Sequence, residues 1–265
     1  IAANDTFGAL VALGEVLAAN QAVFITAPEV NGKMPETFGL PEEVENGVGL
    51  IVETSGSSGK PKRVILSREA ILASANAAQI RLGGPGQWLL ALPINFVAGA
   101  NVLIRSLVAD TQPVLMNTSV PFTAEAFARS ASLMTGARRY TSLVPTQLAR
   151  LAAAIDDPFS PSGKNDFLLS QLRKFDAILV GGQAPQDEVV TALKELGINI
   201  VITYGMTETC GGCVYDGVAL DGVKLDTTNF STAGWETAIG GLKSASVKVK
   251  FNNDFAATTV DDRLF

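Results

Sequence analysis

Between residues 48 and 205, apolar strand-like runs alternate with longer runs of helical spacing, and this alternation restricts the fold more than any other feature. Strands are expected at Leu50–Glu53, Trp88–Leu92, Pro113–Met116, Tyr140–Val144, Ala177–Val180 and Ile198–Thr203. Helices are expected between them, at Arg68–Gln79, Asn101–Ala109, Ala124–Leu133, Thr146–Ile155 and Asp187–Leu196. Strands separated by helices pair through crossovers, so the pattern implies an α/β fold with a parallel or mixed sheet covered by helices. In such sheets ligands sit beyond the carboxyl ends of the strands. The residues just after each strand are therefore the place to look for chemistry. A helical run at Gly8–Ala19 and a strand at Ala22–Thr26 come first and carry no chemical cluster.

The most informative strand end is Thr54-Ser55-Gly56-Ser57-Ser58-Gly59-Lys60-Pro61-Lys62. It follows the apolar run Val48–Val52 and precedes a short strand, Arg63–Leu66, with Ser67 as a helix N-cap. Glycine tolerates positive φ and close approach, so such a loop can turn backbone N–H groups around an anion. Thr54, Ser55, Ser57 and Ser58 add hydroxyls, and Lys60 and Lys62 add charge. Read alone, the stretch fits either an anion cradle or an exposed flexible tip. It is not a Walker loop, because the Gly-x-x-x-x-Gly-Lys-Ser/Thr spacing is absent and Pro61 follows Lys60.

Composition removes several alternatives. The chain has 265 residues, is 47% hydrophobic, and contains no histidine. Without imidazole, Ser-His-Asp and Cys-His catalysis and His-ligated zinc are excluded. Any chemistry here must work without imidazole, by positioning and charge neutralisation more than by a general base. The net charge of −6 and the lack of a basic stripe argue against a nucleic-acid partner. No apolar run reaches the roughly 18 residues of a membrane span, and no signal peptide is expected at Ile1. Two cysteines build no disulfide framework, which fits a reducing cytoplasm.

Four further strand ends are candidates. Leu92-Pro93-Ile94-Asn95-Phe96-Val97-Ala98-Gly99 leads into a helix bearing Arg105, a lone charge among Val102, Leu103, Ile104 and Leu107. A buried Arg needs an anionic partner, structural or substrate-borne. Tyr140-Thr141-Ser142-Leu143-Val144-Pro145 ends a strand at Pro145, with Thr146 able to cap the next helix. Ile178-Leu179-Val180-Gly181-Gly182-Gln183 ends in bare backbone against which a flat ring can lie. Thr203-Tyr204-Gly205-Met206-Thr207-Glu208-Thr209 brings an aromatic face, hydroxyls and a carboxylate to one strand end. Cys210-Gly211-Gly212-Cys213 follows; it reads as a glycine-lined pocket floor, as a redox dithiol or, least well, as half a zinc site.

Ser-Gly-Ser-Ser-Gly-x-Pro-Lys resembles the phosphate loop of the acyl-adenylate-forming superfamily, and Tyr-Gly-x-Thr-Glu at Tyr204–Glu208 resembles its second signature. The resemblance covers roughly residues 48–225 and implies the superfamily's N-terminal domain, with layered sheets covered by helices. It implies that Thr54, Ser55, Gly56, Ser57, Ser58, Gly59 and Lys60 cradle ATP phosphates, with Lys62 catalytic beside them. Gly181, Gly182 and Gln183 would flank adenine, and Tyr204, next to Gly205, would stack on it. Thr207 would contact the α-phosphate and Glu208 would hold Mg²⁺, both counted as catalytic. Asn95 stands where the superfamily usually has His and cannot carry charge; with Arg105, Ser142, Gly211 and Gly212 it would line the acyl pocket. Asp261, in Thr259-Val260-Asp261, would hold ribose, although Val260 replaces the usual Gly.

The run Thr-Glu-Thr-x-Gly-Gly-Cys-Val-Tyr-Asp-Gly, with Leu82–Ala91 and Arg139–Leu143, resembles the short actinobacterial form of the o-succinylbenzoate–CoA ligases of menaquinone biosynthesis. That implies an AMP-forming acid–CoA ligase using ATP, Mg²⁺, coenzyme A and a carboxylic acid. Other acyl- or aryl-CoA ligases, and a nucleotide-binding module without catalysis, stay open, and so does the oligomeric state, a homodimer included. Residues 1–225 are expected to form the adenylating core and 226–265 a small β-rich subdomain. The superfamily's mobile C-terminal domain, with its hinge and catalytic lysine, is expected to be absent from this sequence.

Overall fold

The computed structural model describes residues 1–18, 21–35, 37, 43–55, 61–156, 165–223 and 229–230. In chain order these form α1 (Thr6–Ala18), β1 (Val23–Ile25), β2 (Val48–Ser55), β3 (Pro61–Ser67), α2 (Arg68–Arg81) and β4 (Gln87–Leu90). Next come α3 (Val97–Val108), β5 (Val114–Leu115), α4 (Ala124–Ser132), β6 (Arg139–Leu143), α5 (Pro145–Ala153) and α6 (Asp166–Leu172). The chain continues with β7 (Ala177–Val180), α7 (Asp187–Glu195) and β8 (Ile200–Met206). A 3₁₀ turn (Thr207–Thr209) then leads to β9 (Gly211–Tyr215), β10 (Val218–Ala219) and β11 (Asn229–Phe230).

Among the described residues there are two sheets. One is four-stranded, in the order β1-β2-β3-β11, and one is seven-stranded, in the order β10-β9-β8-β7-β6-β4-β5. The centre of the larger sheet is parallel, β4 pairing with β6, β6 with β7 and β7 with β8. Its edge returns antiparallel through β9 and β10. The sheet is mixed, as the alternation implies.

Alternation along each parallel strand feeds two cores. Ala177 and Leu179 of β7 join Trp88, Leu90 and Tyr140 on one face, with Ala75 and Ala78 of α2 and Leu103 of α3. The same core contains Leu50, Val52, Val64 and Leu66, so α2 and α3 lie between the two sheets. Ile178 and Val180 point to the opposite face, against Phe127 of α4, Leu148 and Leu151 of α5, Leu168 of α6 and Leu193 of α7. Each fully buried Leu or Ile side chain stabilises the fold by roughly 1.5–3 kcal/mol.

Local signals set the helix starts. Ser67 caps α2, its Oγ accepting from the Ala70 N–H at 3.1 Å. Thr146 does not cap α5: Pro145 takes the first helical position, which puts Val144 at the cap. The cap bond comes from Gln147, whose Oε1 accepts from the Val144 N–H at 3.1 Å. The strand expected to end at Thr203 instead runs to Met206 as β8. The return strand β9 pairs Tyr204 with Val214, Gly205 with Gly212 and Met206 with Gly211. Helix α6, not anticipated from the sequence, is short and starts at Asn165, whose Oδ1 accepts from the Leu168 N–H at 3.1 Å. Among the described residues, no helix is long and apolar enough to cross a membrane. The expectations for residues 231–265, Asp261 included, lie outside the described residues.

Candidate active site

Four neighbouring parallel strands, β4, β6, β7 and β8, end at one edge of the large sheet. The segments Leu92–Gly99, Val144–Gln147, Gly181–Pro185 and Thr207–Thr209 follow those ends, and Tyr204 lies within the last residues of β8. The crevice beyond carboxyl strand ends is where open α/β sheets bind ligands.

The small sheet supplies the other wall. β2 and β3 form an antiparallel ladder through Thr54 opposite Lys62 and Ser55 opposite Pro61. Gly56–Lys60 lie outside the described residues. The Thr54 hydroxyl donates to the Lys62 carbonyl at 3.2 Å. The Lys62 side chain then crosses to the other sheet, where its Nζ donates to Glu208 Oε1 at 2.7 Å. Residues 146 apart in sequence are thereby brought into one ion pair.

Along the strand ends the side chains are unequally accessible. Tyr204 is 45% exposed. Thr207 and Glu208 are half-buried in the 3₁₀ turn. The Thr209 hydroxyl closes that turn, accepting from the Met206 N–H at 3.0 Å and donating to the Gly211 carbonyl at 2.7 Å. Gly181 lies against Thr203, where a Cβ would crowd the Thr203 hydroxyl, and Gly182 and Gln183 are exposed beside it. Gly205 has the Gly211 carbonyl packed where a Cβ would stand, so β8 and β9 approach this closely only with glycine there.

The residues expected on the acyl side are inside the fold. Ser142 is buried in β6 opposite Leu179, on the face that carries Tyr140. Asn95 precedes α3, and its Oδ1 is buried without a hydrogen-bond partner. Arg105 is 6% exposed. Its Nη2 donates to the Tyr215 hydroxyl at 3.0 Å, and its guanidinium lies 5.0 Å from the centre of the Trp88 ring. The anionic partner expected for Arg105 is therefore not a carboxylate among the described residues; a phenol and an aromatic face share the charge. Its Nε has no acceptor. Burial pushes the Tyr215 phenol above its ordinary value against the opposing pull of Arg105. Neither Trp88 nor Tyr215 stands out in the sequence as a site residue, because a buried aromatic reads as core.

Neither cysteine forms a disulfide; Cys210 is buried and Cys213 half-buried. Burial raises the Cys213 thiol, against a hydrogen bond from Thr209 that lowers it. That is the opposite of the depressed thiol an active dithiol requires.

Comparison with known proteins follows the same lines. The family model described as AMP-binding enzyme matches residues 17–243. A protein named probable 2-succinylbenzoate–CoA ligase from Mycobacterium tuberculosis (strain CDC 1551 / Oshkosh) is 40% identical over 211 residues, covering 80% of this chain and 52% of the relative. A 2-succinylbenzoate–CoA ligase of Geobacillus kaustophilus is 29% identical, over 79% of this chain and 38% of the relative. The chain thus spans about half the length of the mycobacterial relative, and less of the other. Among solved structures, the Bacillus subtilis O-succinylbenzoate coenzyme A synthetase in complex with ATP and magnesium ion aligns with TM-score 0.52 and 26% identity, over 65% of this chain and 34% of that one. The same enzyme with its acyl-adenylate intermediate aligns with TM-score 0.53 and 25% identity, over 65% and 35%. With its two sheets meeting at the Lys62–Glu208 pair and its length matched from residue 17 to 243, the chain belongs to the AMP-binding enzyme family.

Proposed function

We propose that the protein activates o-succinylbenzoate with ATP and transfers the acyl group to coenzyme A, as an AMP-forming acid–CoA ligase of menaquinone biosynthesis in the cytoplasm. The Lys62–Glu208 pair carries the adenylation part of this reading, because it sets a cation and a carboxylate at the crevice where the Thr54–Lys62 hairpin meets the strand ends. The mycobacterial relative's name supports the choice of acid.

In the first step a substrate carboxylate oxygen bonds to the α-phosphorus, the bond to the β-phosphate oxygen breaks, and pyrophosphate leaves. No general base is needed, since the nucleophile is already an anion. In the second step the coenzyme A sulfur bonds to the acyl carbon, the acyl–oxygen bond breaks, AMP leaves, and the thiol proton passes to solvent. Lys62 and the hairpin tip would bind the β- and γ-phosphates, and Thr207 would orient the α-phosphate. Tyr204 would stack on adenine along Gly181–Gln183, with Asp261 on the ribose. Asn95, Ser142, Gly211, Gly212 and Arg105 would receive the acid; the unpartnered Arg105 Nε–H is a donor suited to a carboxylate or ketone oxygen.

Among the described residues no group of three or more His, Cys, Asp or Glu side chains converges. A divalent cation held by Glu208 would thus complete its shell with phosphate oxygens and water, which is the manner Mg²⁺ favours. Bound there, Mg²⁺ neutralises charge on the phosphates.

The test is calorimetric titration with the sulfamoyl analogue of o-succinylbenzoyl-AMP against benzoyl and fatty-acyl analogues. The expected result is a preference of about tenfold or more, or 1.4 kcal/mol, for the succinylbenzoyl form. Equal affinities with ATP still bound would replace the acid and keep the adenylation. No nucleotide binding at all would overturn both.

A further inference from the structure

We infer that Asn101 and Ser74 are positioning residues that hold the Thr207–Thr209 turn through the Cys210 carbonyl. This rests on the proposal above that Glu208 holds the divalent cation.

Cys210 ends the turn with φ 54° and ψ 36°, a left-handed conformation that is unfavourable for a residue with a Cβ. Gly211 follows with φ 90°. Such a pair of residues persists only where the surroundings determine it. Here they do. The Cys210 carbonyl is turned into the protein, where it accepts from Asn101 Nδ2 at 2.6 Å and from Ser74 Oγ at 3.1 Å. Asn101 belongs to α3 and is 3% exposed; Ser74 belongs to α2 and is fully buried. A buried amide or hydroxyl without a partner is costly, so each donor is committed to this carbonyl. Gly211 clears the path, since a Cβ there would fall on the Asn101 amide nitrogen. The Cys210 N–H closes the turn onto the Thr207 carbonyl at 2.9 Å.

The turn that presents Thr207 and Glu208 is thus anchored at one end to two helices packed between the sheets, and only its other end belongs to β8. Its carboxylate is registered against the Lys62 hairpin by helix packing rather than by the loop's own stiffness. A displacement of about 1 Å at reacting groups can cost about 100-fold in rate, so the clamp acts on the metal-dependent part of nucleotide binding.

The test compares ATP affinity with and without Mg²⁺ by calorimetry. The readout is the metal-dependent gain, in the wild type and in Asn101→Ala, Ser74→Ala, Glu208→Gln and Val102→Ala. Val102 is a fully buried neighbour on α3 and controls for lost stability. Glu208→Gln should abolish the gain. Asn101→Ala should cut it about tenfold or more, and Ser74→Ala, a milder change, about threefold. Val102→Ala should lower the melting temperature and keep the gain. A wild-type gain retained in both Ser74→Ala and Asn101→Ala, while Glu208→Gln loses it, would overturn the clamp and leave Glu208 as the metal ligand. The same holds if Val102→Ala loses as much as Asn101→Ala. A gain that survives Glu208→Gln, or is absent from the wild type, would overturn the Glu208 assignment and the clamp with it. If Asn101→Ala does not fold, Ser74→Ala decides alone.

Discussion

Lys62 and Glu208 form an ion pair whose side chains are 41% and 19% exposed. Pairs this accessible contribute about 0–1 kcal/mol to stability, so the fold gains little from it. Its position at the junction of the two sheets is better explained by the ligand each partner would receive. Lys62→Met is accordingly expected to shift the melting temperature by no more than about 2–4 °C. It should weaken ATP binding by about 10- to 100-fold, the worth of one lost charge-assisted hydrogen bond. Differential scanning fluorimetry and calorimetry on the same sample separate the two effects. A large fall in melting temperature with unchanged ATP affinity would make the pair structural.

Among the elements, the β8–β9 hairpin is held at close approach by its glycines. Gly205 and Gly212 face each other across it, and the carbonyl of the neighbouring Gly211 fills the space of a Gly205 side chain. Gly205→Ala must push β9 away from β8 or bend β8 out of the sheet. Overpacking of this kind costs about 1–3 kcal/mol. The expected outcome is a lower urea midpoint, corresponding to an unfolding free energy reduced by that amount, together with loss of ATP binding, because the Thr207–Thr209 turn is the link between the two strands. An unchanged midpoint would show that the hairpin relaxes without cost. Tyr204 and Gly205 thus belong to a paired strand as well as to the edge proposed to face the nucleotide.

Across the whole molecule, two tyrosines tie the large sheet to its surroundings. The Tyr140 hydroxyl donates to the Leu82 and Gly84 carbonyls at 3.0 and 3.2 Å, and the Tyr215 hydroxyl accepts from Arg105. Burial raises both phenols above the ordinary value of about 10. The unfolded chain therefore loses these protons first. Their contribution to stability is complete below pH ~10 and is lost as pH rises through the higher folded values. Melting temperature is expected to hold to pH ~9 and fall steeply above pH ~10; a flat profile to pH 11 would show that the phenols ionise in place. The α/β class, the parallel centre of the large sheet and the strand ends that border the crevice were legible in the sequence. All of them rest on hydrophobic periodicity and short motifs, which are local. The Ser67 cap was legible for the same reason. Thr146 was misread as a cap because Pro145 claims the first helical position ahead of it. Arg105 was legible as a charge needing company, but Trp88 and Tyr215 as its company were not, since those residues lie 17 and 110 positions away and look like core. The meeting of Lys62 with Glu208, and of Cys210 with Asn101 and Ser74, was decided only by the tertiary structure. Those pairings depend on how two sheets and two helices pack, and no local pattern in one chain records which distant groups that packing will bring within hydrogen-bond reach.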